Sequence, residues 1–105
     1  MAYEKQPAVY ILASRYRGTL YTGVTSDLWT RMANHKNETF AGFTKQYGVK
    51  TPVWYEHHQG MDAAIKRETQ IKAWKRQWKI ELVEKLNRHW TDIHEKIESR
   101  PFEPS

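Results

Sequence analysis

The chain has 105 residues, 39% hydrophobic and 13% aromatic, enough apolar surface for one core and too little for a second. Seventeen Lys and Arg against twelve Asp and Glu give a net charge of +5 and a pI near 9.5, which suits a polyanionic partner but also describes basic domains that bind none. The absence of cysteine excludes disulfides and thiolate zinc sites, and with no leader-like N-terminus and no run near the roughly 18 apolar residues that span a bilayer, a soluble cytoplasmic protein without membrane association is expected.

In chain order, residues 8–14 (AVYILAS) and 19–25 (TLYTGVT) are short, β-branched and aromatic, and Arg15-Tyr16-Arg17-Gly18 joins them as a turn. This pattern predicts a β-hairpin. Ser26 as cap and Asp27 as first-turn acid open a helix that should run to about Lys36, with Leu28 and Met32 on its buried side. Residues 37–51, with Gly42 and Gly48 among Phe40, Phe43 and Tyr47, read as a loop with room for one short helix. Pro52 precedes a third strand over 53–58, which Gly60 ends. From Asp62 to about Asn87, Ile65, Ile71, Trp74, Trp78, Leu82, Val83 and Leu86 recur at helical intervals, enough for two helices broken near Arg76–Trp78. The order ββαβαα predicts an α+β fold, a small three-stranded antiparallel sheet flanked by helices. The domain is expected over residues 1–93, with 94–105, which include Pro101 and Pro104, as a loose tail.

Several residues are candidates for chemistry, each with an ordinary structural alternative. Strand alternation puts Tyr10 on one face with Ala8 and Leu12, and a regular register brings Tyr21 to the same side. Gly23 would then leave room beside the pair for a ligand, although two tyrosines in a hairpin also serve as packing residues. Arg31 and His35 lie four apart on the first helix, hence on one face. They suit phosphate gripping and proton relay, or form an exposed polar pair. Glu68 stands between Ile65 and Ile71 on the inward stripe. An inward carboxylate needs a Lys or Arg partner, a metal ion or a proton-carrying role. Lys66, Arg67, Lys72, Lys75, Arg76 and Lys79 form a basic band interleaved with Trp74 and Trp78, fit to follow a phosphate backbone or to act as a solvated face. His57-His58 point to opposite strand faces, and His89 and His94 miss the i, i+4 spacing of helical zinc ligands.

Taken together, these residues resemble the GIY-YIG nuclease family, and specifically its small stand-alone bacterial members. Ala8-Val9-Tyr10 and Tyr21-Thr22-Gly23 stand for the two signatures. Gly23 to Leu28 leads into Arg31 and His35, Phe43-Thr44-Lys45 with Tyr47-Gly48 fits the next segment, and Val53-Trp54-Tyr55-Glu56 fits the third strand. Glu68 takes the place of the family's acid, and Asn87 with Trp90 and Asp92 resembles the closing Asn-Pro-x-Trp-x-Asp motif, with Arg88 where proline is usual. The likeness covers roughly residues 7–93.

The resemblance implies a metal-dependent endonuclease that hydrolyses nucleic-acid phosphodiester bonds, with roles in DNA repair or recombination among its expected uses. Glu68 would hold Mg²⁺ or Mn²⁺, Tyr10 would be general base with Tyr21 positioning water or phosphate, and Arg31 would stabilise the transition state. His35 or Lys45 would receive the proton, Asn87 would belong to the same site, and Lys66, Lys72, Lys75 and Arg76 would bind nucleic acid. The substrate expected is DNA, single-stranded, branched or damaged, with RNA as the open alternative. The alternative is a non-catalytic nucleic-acid-binding module with a vestigial site.

Overall fold

The computed structural model of the protein describes residues 6–36 and 48–97. Strands β1 (Ala8–Ala13) and β2 (Leu20–Thr25) form the expected hairpin. At its tip the Ser14 N–H donates to the Thr19 carbonyl at 3.0 Å and the Gly18 N–H to that of Arg15 at 2.8 Å. Arg17 adopts φ 50°, a left-handed conformation that costs a residue with a side chain roughly 1–2 kcal/mol. Long-range contacts offset that cost. The Arg17 guanidinium donates to both oxygens of Glu84 at 2.7 and 2.8 Å, and Arg76 donates to the carbonyls of Arg17 and Gly18.

Strand β3 (Thr51–His57) pairs antiparallel with β1, giving the sheet order β2-β1-β3. A register shift between Ile11 and Leu12 leaves Val53 as the extra residue of β3, and Pro52, which has no N–H to donate, is tolerated beside it on this edge strand. Central β1 is buried on both faces and so reads as a continuous apolar run. Ala8, Tyr10 and Leu12 pack with Val49, Ile97 and with Leu28 and Met32 of helix α1 (Leu28–Lys36). Val9, Ile11 and Ala13 pack with Trp54, Trp90, Ala64 and Ile71 of α2 (Met61–Lys72), and Ile80 and Val83 of α3 (Arg76–Leu86). This three-stranded antiparallel sheet with helices on both faces is the predicted α+β architecture, in the predicted order.

Several boundaries differ from expectation for local reasons. Asp27, rather than Ser26, closes the start of α1: its carboxylate accepts the Thr30 N–H at 3.4 Å and the Thr30 hydroxyl at 2.8 Å. The break between α2 and α3 falls at 73–75 rather than 76–78, with Lys75 extended at φ −61°, ψ 150° before Arg76. Ile65 is 47% exposed and Leu86 faces water, whereas Ala64 is buried. The small side chain of Ala64 allows α2 to approach the sheet, so the inward stripe is Ala64, Glu68 and Ile71, at i, i+4 and i+7.

The packed unit also extends past residue 93, into the segment expected to be loose. His94–Lys96 form a 3-10 turn, and Ile93 and Ile97 on either side of it are buried. The Ile93 N–H donates to the Pro52 carbonyl at 3.0 Å, and the Tyr55 hydroxyl donates to the Lys96 carbonyl at 3.2 Å. The rest of that segment, 98–105, and residues 37–47 of the loop expected over 37–51 lie outside the described residues. Among the described residues, no helix is long and apolar enough to cross a membrane.

Candidate active site

The hairpin register sets the tyrosine arrangement. Tyr10 pairs with Gly23 and Leu12 with Tyr21, so the two tyrosines are diagonal neighbours on one face. Their ring centroids are 6.3 Å apart at 44°. Gly23 does not leave a ligand space, as the sequence suggested. A Cβ there would lie 2.5 Å from Cζ and from the hydroxyl oxygen of Tyr10, so the Tyr10 ring itself occupies that space. Glycine is required because the ring lies flat across the β2 backbone.

Helix α1 delivers Arg31 to the same point. With Leu28 and Met32 anchoring the helix to the core, Arg31 Nη1 donates to the Tyr10 hydroxyl at 3.4 Å. Burial pushes the Tyr10 phenol up to about 12. The Arg31 hydrogen bond and positive charge work in the opposite direction, while the nearby Tyr21 and Glu68 add to the upward push. Tyr10 is therefore a neutral phenol near pH 7, held among charges of both signs. His35 lies one turn beyond Arg31 in α1, but its side chain is outside the described residues, as is all of Lys45.

Glu68 lies on the inward stripe of α2, and its charge acts on the Tyr10 phenol. Its side chain is 15% exposed, and Oε2 accepts from the ammonium of Lys72 at 3.0 Å, one turn further along. Lys72 is itself 53% exposed, so the pair is open on the lysine side. This is the salt bridge that the sequence offered as one alternative, yet it does not remove Glu68 from the tyrosines, because its charge still acts at Tyr10. Among the described residues, no group of three or more His, Cys, Asp or Glu converges to hold a metal ion. That donor set does not suit zinc. A single inward carboxylate with a displaceable lysine does fit Mg²⁺ or Mn²⁺, which complete their shells with water and phosphate oxygens.

The remaining predicted residues are placed elsewhere. Asn87 is buried at the end of α3, and its amide is fully used: Nδ2 donates to the carbonyls of Val53 at 3.0 Å and Thr91 at 2.9 Å, while Oδ1 accepts from the N–H and hydroxyl of Thr91 at 3.1 Å each. Its side chain thus fastens the chain after α3 to β3. Arg76 is committed to the hairpin carbonyls. Lys66 is exposed on α2, and Lys75 lies over Trp78. The network of Glu84 with Arg17 and the Trp90 indole N–H had no local signal, since its partners are far apart in sequence.

Comparisons with known proteins identify the family. The family model for the GIY-YIG catalytic domain matches residues 6–81. A UPF0213 protein from Staphylococcus saprophyticus is 35% identical over 78 residues, covering 71% of this chain and 90% of that protein. One from Staphylococcus epidermidis is 34% identical over 67 residues, covering 64% and 82% respectively. The solution NMR structure of the UPF0213 protein BH0048 from Bacillus halodurans is similar with a TM-score of 0.49 and 28% identity, over 77% of this chain and 85% of that one. This chain belongs to the GIY-YIG family, a family of nucleases that act on nucleic acid with a divalent metal.

Proposed function

We propose that the protein is an endonuclease that hydrolyses phosphodiester bonds, of DNA in preference to RNA, with Mg²⁺ or Mn²⁺ held at Glu68. The observation that carries this reading is the contact of two elements at one hydroxyl, within the influence of a carboxylate on a third. β1 supplies Tyr10, α1 brings Arg31 to 3.4 Å from it, and α2 carries Glu68, whose charge is felt there. Cleavage of single-stranded, branched or damaged DNA would give such an enzyme a place in repair or recombination.

In this reading Arg31 receives the scissile phosphate. Its guanidinium is permanently charged and donates in a fixed fork, which suits the oxygens of a phosphorane-like transition state. Glu68 would hold the divalent ion, which would supply positive charge against the negative charge that develops in the reaction. Water attacks phosphorus, the bond to the 3′-oxygen breaks, and the products are a 5′-phosphate and a 3′-hydroxyl. Tyr10 handles the proton of that water. Its neutral phenol is a poor acceptor, first because it is buried, and the Glu68 charge adds to this. Burial stays the largest cause of that upward push, so Tyr10 acts as a relay that passes its own proton on as it takes the water's, with the Arg31 hydrogen bond and charge easing the loss. Tyr21 orients water or phosphate beside it, and His35 and Lys45 are assigned to carry the proton onward. Asn87 serves the site indirectly, through the position of β3.

A panel of labelled single-stranded, duplex and branched DNA, with RNA counterparts, tests this reading in Mg²⁺, in Mn²⁺ and with chelator. Metal-dependent cleavage of at least one DNA substrate is expected, with loss in Tyr10→Phe and Arg31→Ala. Salt-dependent binding without cleavage in either metal would establish the vestigial binding module instead.

A further inference from the structure

The junction between α2 and α3 carries an aromatic ledge that this chemistry does not use. The rings of Trp74 and Trp78 meet edge to face, with centroids 6.3 Å apart at 81°. Trp74 packs partly against the core, but Trp78 is 48% exposed. An open groove of about 690 Å³ lies beside them, floored by Leu82 and bordered by Glu81, Glu84 and Lys85. An indole left half in water forgoes much of the burial that its size offers, and apolar surface of this kind marks a contact site.

The charges around the ledge indicate what would be contacted. The Arg67 guanidinium lies 5.4 Å from the Trp74 ring centroid, and the Lys75 ammonium lies 5.4 Å from that of Trp78. Of the two acids at the groove, Glu84 is already matched by Arg17. Arg67 is itself paired with Glu56 at 3.0 Å, so of the two cations Lys75 is the one set to meet a phosphate. An aromatic face with such a cation complements a base and its backbone charge. Position agrees with this. A helix rises about 1.5 Å per residue, so the end of α2 at Lys72 is roughly 6 Å along the axis from Glu68, and the ledge starts just past it at Trp74. A few nucleotides of one strand span that distance.

We propose that the Trp74–Trp78 ledge stacks an unpaired base of the substrate, with Lys75 against the neighbouring phosphate. The inference rests on the nuclease reading and narrows its substrate to nucleic acid with a single-stranded segment. In an intact duplex both faces of each internal base are already stacked, so the ledge has nothing there to receive.

The test is fluorescence anisotropy without divalent metal, comparing a single-stranded oligonucleotide with a blunt duplex of the same length. Trp78→Ala should weaken single-strand binding about tenfold and leave duplex binding nearly unchanged, while Trp78→Phe retains most of the affinity. An abasic site scanned along the single strand should weaken parent binding at one position and have no effect there in Trp78→Ala. Melting temperatures close to the parent's would confirm that the half-exposed site tolerates the change. The proposal is overturned if the parent binds no single strand, or if Trp78→Ala binds both ligands like the parent or loses both equally. It is also overturned if the variant changes only the oligomeric state, which would identify a self-association face. Binding is read without cleavage, so the two readings separate. A parent that cleaves while Trp78→Ala binds normally defeats the ledge alone. A parent with Trp78-dependent binding and no cleavage defeats the endonuclease reading alone.

Discussion

Replacing Gly23 with alanine should destabilise the protein, against the usual trend for a strand. Alanine in a strand interior normally gains about 0.5–1 kcal/mol over glycine, because glycine loses more conformational freedom on folding. Here the new methyl carbon would lie 2.5 Å from two atoms of the Tyr10 phenol and 3.0 Å from a third, where favourable carbon contacts need about 3.5–4.0 Å. The ring cannot move aside freely, because Tyr10 is fully buried in a cluster with Leu28 and Met32. Relief needs a shift of the ring or of β2 by roughly 1 Å, and overpacking of this kind costs about 1–3 kcal/mol. Urea unfolding should show a lower midpoint with an unchanged slope. In a Tyr10→Leu background, which removes the clashing atoms, the same substitution should cost much less, and that non-additivity is the signature of the contact. The displaced hydroxyl also leaves Arg31, so cleavage should fall about 10²-fold. Gly23→Ala at or above parent stability would refute the arrangement.

Three further outcomes follow from the same geometry. Because the folded protein holds the Tyr10 phenol up, at about 12 against an ordinary 10.0, its protonated form stabilises the fold by roughly 3 kcal/mol. That contribution is complete below pH 10 and is lost as pH rises towards 12; Glu68→Gln should move the Tyr10 midpoint down, as read by phenolate absorbance against Tyr10→Phe. Glu84 is held low, at about 2 rather than 4.5, first by the Arg17 hydrogen bonds and then by the Trp90 indole. Its contribution is present above pH 4.5 and lost as pH falls towards 2, so Glu84→Gln should flatten thermal stability against pH across that window. Asn87→Ala leaves a buried carbonyl and a backbone N–H without their partner, which should cost about 1–3 kcal/mol in denaturant unfolding.

Much of this was legible because it is local. Alternation along β1 separates Tyr10 from Val9 and Ile11, and one helical turn separates Arg31 from the buried Leu28. Both patterns survive in the structure because nothing competes with them. What escaped was set by contacts between distant segments. Ile65 has the right spacing for a core residue, but the close approach of α2 through Ala64 turns it outward. Gly23 reads as open space until the register places Tyr10 opposite. Arg76 reads as a free cation until the hairpin tip arrives with two carbonyls to be met. Ile97 reads as part of a tail because its burial depends on the distant tyrosine face of the sheet. The inward aspect of Glu68 was readable from its stripe, whereas its pairing with Lys72 was one alternative among several.

The most direct measurement is the cleavage rate of Glu68→Gln per folded molecule, taken together with Mn²⁺ binding. The variant keeps the side chain's size and can still hydrogen-bond, so its melting temperature should stay near the parent's. If Glu68 holds the ion, Mn²⁺ binding disappears and the rate falls by roughly 10²–10³-fold or more. A folded Glu68→Gln protein that binds Mn²⁺ and cleaves at the parent rate would contradict the assignment of the site.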